Sequence, residues 1–146
     1  ERVAMYLVDL PGYGFARAHH ESIAQWTKAV ENYITKRNCT ILRRSFLLID
    51  IRHGIKKNDR EMMKLLDRRG VSYQLILTKA DKLRESEIER VVEDTMRIAV
   101  NHPACFPAIH VVSAKHNLGI SELFDSIYYT VGLSNGSQYG TDDVVD

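Results

Sequence analysis

Residues 73–81 read Tyr73-Gln74-Leu75-Ile76-Leu77-Thr78-Lys79-Ala80-Asp81. The stretch opens as a short apolar run and closes in a polar cluster. Such a run, set between two helical patterns, predicts a buried strand of a parallel sheet. Ligands of open α/β sheets bind beyond the carboxyl ends of the strands. Thr78, Lys79 and Asp81 therefore stand where a ligand would be read. The Asp81 carboxylate can accept two parallel N–H bonds from a base that presents an N–H and an exocyclic amine side by side, as guanine does. Charge-assisted bidentate contacts of this kind are strong and directional. The aliphatic stem of Lys79 can lie over a flat base while its ammonium stays in water. The plainer alternative is a solvated Lys-Ala-Asp-Lys turn.

On the N-terminal side, residues 45–51 (Ser-Phe-Leu-Leu-Ile-Asp-Ile) predict another strand, with an exit loop from Asp50 through Arg52 and His53 to Gly54. Met62, Met63, Leu65 and Leu66 mark a helix over 58–69, stopped by Gly70. Further back, residues 3–8 (Val-Ala-Met-Tyr-Leu-Val) predict a buried strand. It runs into Asp9, Leu10, Pro11, Gly12, Tyr13, Gly14 and Phe15, where the proline and glycines forbid regular structure and allow close approach to a ligand. An amphipathic helix is expected over 22–36, with Ile23, Trp26, Val30, Tyr33 and Ile34 on its apolar face.

On the C-terminal side, Ser86 and Glu89 suggest a capping box. It would open a helix whose apolar face is Ile88, Val91, Val92, Met96 and Ala99. Pro103 and Pro107 bracket an expected loop. A short strand over 109–112 ends in Ser113-Ala114-Lys115. Leu123, Phe124, Ile127, Tyr128 and Val131 mark a last helix, stopped by Gly132. The fold class is α/β: a mostly parallel sheet with helices on both faces. One domain is expected over 1–133, and the small, polar, acidic residues 134–146 read as a disordered tail.

The 146 residues are 45% hydrophobic and 27% charged, with a net charge of +1, so global charge gives no argument for nucleic acid. Cys39 and Cys105 have no metal-ligand spacing and fit free thiols in a reducing compartment. No structural metal is expected. Neither a signal peptide nor a membrane-spanning run is visible.

Asp9-x-x-Gly12, Thr78-Lys79-Ala80-Asp81 and Ser113-Ala114-Lys115, all on strand exits and in this order, resemble the third, fourth and fifth motifs of the P-loop GTPases. With Asp50-Ile-Arg-His-Gly54 and Lys56-Lys57-x-Asp59 they resemble the EngB (YihA/YsxC) group of ribosome-biogenesis GTPases, over about residues 3–133. Residues 72–82 and 101–107 look most like alphaproteobacterial members; an organellar protein of that ancestry is the alternative. The resemblance implies GTP/GDP and Mg²⁺ as ligands, with Asp9 holding Mg²⁺ through a water and the Gly12 amide meeting the γ-phosphate. It implies a switch from Tyr13 to about Ala18, taking in Gly14 and Phe15 and preceded by Pro11. Lys79 and Asp81 would read guanine, Ala114 would donate to the base carbonyl, Ser113 would brace the loop, and Lys115 would lie beside the base. Thr78 stands where most GTPases have Asn. The large ribosomal subunit or its rRNA is the implied partner, with no membrane. A monomer is expected, in the bacterial cytoplasm or alternatively in a mitochondrion or plastid. Basic groups at Lys56-Lys57, Arg52-His53, and Arg17 with His19-His20 are the candidate RNA contacts.

Two departures from the GTPase pattern shape the expectation. Tyr13 replaces the Gln that orients the attacking water in many GTPases, which implies slow or partner-assisted hydrolysis. No G-x-x-x-x-G-K-[ST] occurs. In the family the strand bearing that loop lies between those expected at 3–8 and 46–50. A gap, or a closing up of these strands, is therefore expected, with weak stability and negligible GTPase activity for these residues alone. The contrasting reading is a scaffold for RNA or protein, without hydrolysis.

Overall fold

A computed structural model describes residues 5–10, 28, 32–33 and 42–132. Its elements are β1 (Ser45–Asp50), α1 (Lys57–Arg69), β2 (Tyr73–Thr78), a 3₁₀ turn (Ala80–Lys82), α2 (Glu85–Ala99), β3 (Cys105–Val111) and α3 (Ile120–Thr130). The described strands form one parallel sheet in the order β1-β2-β3.

The central strand β2 is buried along its length because both of its faces are covered. Tyr73, Leu75 and Leu77 pack with Leu47, Ile49 and Ile51 against Met62, Met63, Leu65 and Leu66 of α1, with Ile88, Val91 and Val92 of α2 at the margin. On the other face Gln74 accepts hydrogen bonds from Arg44 and from Ser126 of α3. Register sets the position of the site. Asp50 lies opposite Thr78, and Leu77 opposite Val111, so the strands reach their carboxyl ends at one edge.

The structure moves several expected boundaries. α1 starts at Lys57, and its entry is fixed by Asp59, whose Oδ2 accepts the Lys56 amide at 2.6 Å. Gly70 ends the helix in the left-handed region, φ 62°. α2 does not use Ser86 and Glu89 as its cap. It begins at Glu85 because Leu83 is still extended, and Glu87 Oε2 accepts the Arg84 amide at 2.8 Å. β3 begins at Cys105, so Pro107 lies inside a strand rather than closing a loop. Proline is tolerated there because β3 is at the edge of the sheet among the described residues and its pairing with β2 shifts register between Tyr73 and Leu75.

The largest difference is at the N-terminal side. Residues 5–10 carry no strand, and Tyr6, Leu7, Val8 and Leu10 are exposed. A strand needs a ladder partner, and among the described residues β1 pairs only with β2; on its face Leu48 is 61% exposed. Of the two outcomes expected for this sheet, closing up is not observed. Within the helix expected over 22–36, Lys28, Asn32 and Tyr33 are helical and the other residues lie outside the described ones. Residues 11–15, with Pro11, Gly12, Tyr13, Gly14 and Phe15, also lie outside them, as does the expected tail. No helix among the described residues is long and apolar enough to cross a membrane.

Candidate functional site

The polar ends of β1, β2 and β3 meet at the carboxyl edge of the sheet. β2 ends at Thr78, whose hydroxyl donates to the Ile49 carbonyl at 3.2 Å and so ties the strand end to β1. Lys79 then enters the left-handed region, φ 62°, and reverses the chain into the 3₁₀ turn. A lysine accepts this conformation at a cost of about 1–2 kcal/mol, so the surroundings must hold it. They do so from both sides. The Ala80 amide donates to the Val112 carbonyl at 3.1 Å, with Ala80 itself buried. The Lys79 ammonium meets Asp50 Oδ2 at 2.9 Å.

Asp50 anchors this corner. Arg52 reaches back to it with a fork, Nε to Oδ1 at 2.9 Å and Nη2 to Oδ2 at 2.6 Å, and the Arg52 amide adds a third bond. The Arg52 guanidinium, helped by Lys79, holds the Asp50 carboxyl well below the usual carboxylate range.

The second corner joins β2 to β3. Ser113 is fully buried, and its hydroxyl donates to Asp81 Oδ1 at 2.7 Å while accepting the His116 amide at 3.3 Å. Lys82 Nζ lies 3.4 Å from Asp81 Oδ2. The Ser113 hydroxyl, ahead of Lys82, keeps the Asp81 carboxyl below its ordinary range. The loop after Ser113 is closed by a reciprocal backbone pair with Leu118, at 3.0 Å each way. Asn117 (φ 53°) and Gly119 (φ 67°) make its turn, and Ala114 and Lys115 are exposed on it.

The structure thus brings Thr78, Lys79, Asp81, Ser113, Ala114 and Lys115 to one edge. Asp9 is exposed in the irregular segment outside the sheet. The arrangement presents an ionised carboxylate whose two oxygens have four lone-pair directions. Ser113 uses one and the Lys82 ammonium lies beside Oδ2, leaving acceptor positions for a donor pair from outside. The organising role of Asp50 was hidden in the sequence. Its one signal was a carboxylate at a strand's last residue followed two positions later by an arginine.

These features define a class of protein, and comparison with known proteins agrees. The family model of the elongation factor Tu GTP binding domain matches residues 3–131. Probable GTP-binding protein EngB of Bartonella bacilliformis is 46% identical over 127 residues, which cover 87% of this chain and 58% of the relative. The protein of the same name from Rhizobium etli is 42% identical over 131 residues, covering 90% of this chain and 59% of the relative. Among solved structures, apo translation elongation factor SelB of Methanococcus maripaludis superposes with TM-score 0.68 at 22% identity, covering 92% of this chain and 26% of that one. The same factor bound to the GTP analogue GppNHp gives TM-score 0.57 at 22% identity over 72% of this chain and 26% of its own. At that identity the likeness speaks for the fold alone. The chain belongs to the family of elongation factor Tu-type GTP-binding domains, with the α/β fold of a P-loop GTPase, and within it to the EngB group. It spans 58–59% of the length of the two EngB proteins.

Proposed function

We propose that this chain carries the base-reading side of a guanine-nucleotide switch that assists assembly of the large ribosomal subunit. One observation carries the reading. Within a GTP-binding domain, the Asp81 carboxylate is fixed by the buried Ser113 hydroxyl at the joint between two parallel strand exits. In this reading Asp81 accepts the paired N–H groups of guanine, and the stem of Lys79 covers one face of the base. The Ala114 amide donates to the base carbonyl, and Lys115 lies beside the ring. Thr78 holds the turn through β1 rather than through the loop after β3. Specificity follows because a base lacking the donor pair would desolvate the remaining acceptor positions of Asp81 without supplying donors to them.

The donor chemistry at this edge fits guanine. Mg²⁺ takes few protein ligands and completes its shell with water and phosphate oxygens. An exposed Asp9 fits that demand, and the metal would neutralise phosphate charge when bound. Asp9 would hold that ion through a water, Gly12 would meet the γ-phosphate, and Pro11, Tyr13, Gly14 and Phe15 would belong to the switch that senses it. With a phenol at position 13, hydrolysis is slow or partner-assisted. The domain assigned to this switch is 1–133. The protein works as a monomer in the cytoplasm or an organelle of bacterial ancestry.

The deciding measurement is calorimetric titration of GDP into this chain and into a form extended upstream, each beside Asp81→Asn. Binding by the extended form that is lost in Asp81→Asn supports the reading. Binding by neither form would remove it and bring the scaffold reading forward.

A further inference from the structure

The exposed face of α1 is strongly one-sided in charge. Lys57, Arg60, Lys64 and Arg68 are all exposed and recur at intervals of three and four residues, which places them along one stripe of the helix. The stripe runs roughly 16 Å. Glu61 is its one acid, 4.0 Å from Lys57, and Arg60, Lys64 and Arg68 have no ion pair among the described residues. Lys56, also exposed, precedes the stripe, and exposed His53 lies in the loop before it. α2 has the opposite character. Its exposed residues Glu85, Glu87, Glu89, Glu93 and Asp94 outnumber Arg90 and Arg97. A net charge of +1 therefore hides a polarised surface.

We infer that the outer face of α1 is a docking surface for the phosphate backbone of double-stranded RNA, read without regard to sequence. Three observations select a duplex phosphate backbone over other partners. A protein partner would want an apolar centre to its interface, yet none of the exposed large hydrophobic residues among the described ones lies on α1. A single strand would want aromatic side chains on which bases stack, and α1 carries none. An anionic membrane would want the helix's apolar face, but Met62, Met63, Leu65 and Leu66 are spent in the core. What remains is a row of point charges, which suits phosphates. The acidic α2 disfavours docking on its own side, so the charge asymmetry orients the approach. The choice of RNA rests on the ribosomal reading given above.

The test uses the full chain in nucleotide-free buffer, with a short labelled RNA duplex and fluorescence anisotropy over a salt series. Wild type is expected to bind at low salt with a log–log salt slope on the order of −3. Lys64→Glu/Arg68→Glu should lower affinity at least tenfold and flatten the slope by about 2. The milder Lys64→Gln/Arg68→Gln should do the same in part, with helical circular dichroism kept. Arg90→Glu/Arg97→Glu changes net charge equally and should cost less than threefold. Equal loss in both reversed variants, no duplex binding by wild type, or binding to phosphatidylserine vesicles or single strands in preference to duplex would each overturn the inference. Duplex binding persisting where Asp81→Asn has no effect on nucleotide binding would support this surface while removing the guanine reading.

Discussion

Ser113 donates its buried hydroxyl to Asp81 across the gap between the exits of β2 and β3, Oγ to Oδ1 2.7 Å. The bond gives the Asp81 carboxylate a fixed plane before any ligand arrives, which lowers the ordering cost of binding a ligand there. In Ser113→Ala the carboxylate loses its nearest partner and the His116 amide loses its acceptor. Guanine-nucleotide affinity in the upstream-extended form should drop about tenfold. The sign of the pH effect follows from the lowered Asp81 carboxyl. The interaction is present above the ordinary carboxylate range and is lost as pH falls through the lowered value. Carbon-detected titration of Asp81 should show its midpoint rising in Ser113→Ala. An unchanged midpoint would detach Ser113 from Asp81.

Asp50 joins Lys79 to Arg52, yet both cations remain about half solvated, with side-chain exposures of 54% and 42%. The pair energy is therefore discounted to about 1 kcal/mol for Asp50→Asn. The effect on Lys79 should exceed the effect on stability, because the ammonium loses the contact that holds its left-handed residue in place. Since Arg52 depresses the Asp50 carboxyl, its contribution is complete at neutral pH and is lost only in strong acid. Urea unfolding of wild type and Asp50→Asn should thus run parallel from neutral pH to mild acid and converge below. Convergence already at neutral pH would sink this account.

Much of this is legible in the sequence. β2 announced itself because a strand buried on both faces reads as a continuous apolar run, and Gly70 and Gly132 marked helix ends through their freedom at positive φ. What failed were features decided by partners remote in sequence. The 3–8 run has strand composition, but composition does not supply a ladder neighbour. Pro107 looked like a breaker, yet an edge strand with a register shift takes it. The cap of α2 fell two residues early because the preceding 3₁₀ turn, not Ser86, sets where the chain can turn. Asp81 and Ser113, 32 residues apart, could be listed as neighbours of a ligand but not as partners of each other.

Gly70 and Gly119 have nearly the same φ, 62° and 67°. At Gly119 a Cβ would sit 2.2 Å from the Val111 carbonyl oxygen, and at Gly70 it would meet nothing within 4 Å. Gly70→Ala carries only left-handed strain, about 1 kcal/mol. Gly119→Ala adds a clash with strand backbone that a side chain cannot relieve, so about 3 kcal/mol is expected. It should also disturb the Ser113–Leu118 backbone pair and weaken nucleotide binding, which Gly70→Ala leaves alone. Equal midpoints for the two variants in urea would contradict the argument.

Asp67 lies near the end of α1. Its Oδ2 meets His102 Nδ1 at 2.5 Å and its Oδ1 accepts the Ala104 amide at 3.1 Å, clamping the α2–β3 connection to α1. The Ala104 carbonyl accepts the Tyr73 amide at 3.1 Å, so the clamp also sets where the β2–β3 ladder begins. Both side chains are largely sheltered, at 16% and 12% exposure. Asp67→Ala removes two such bonds and should cost about 2–3 kcal/mol. His102→Ala removes one and leaves the amide contact, so it should cost about half as much. Native-state hydrogen exchange separates a local from a global cause. In Asp67→Ala the Ala104 and Tyr73 amides should lose more protection than Leu75, which sits deeper in the ladder. Uniform loss across β2 would mean that Asp67 only contributes to overall stability and does not set the strand's start.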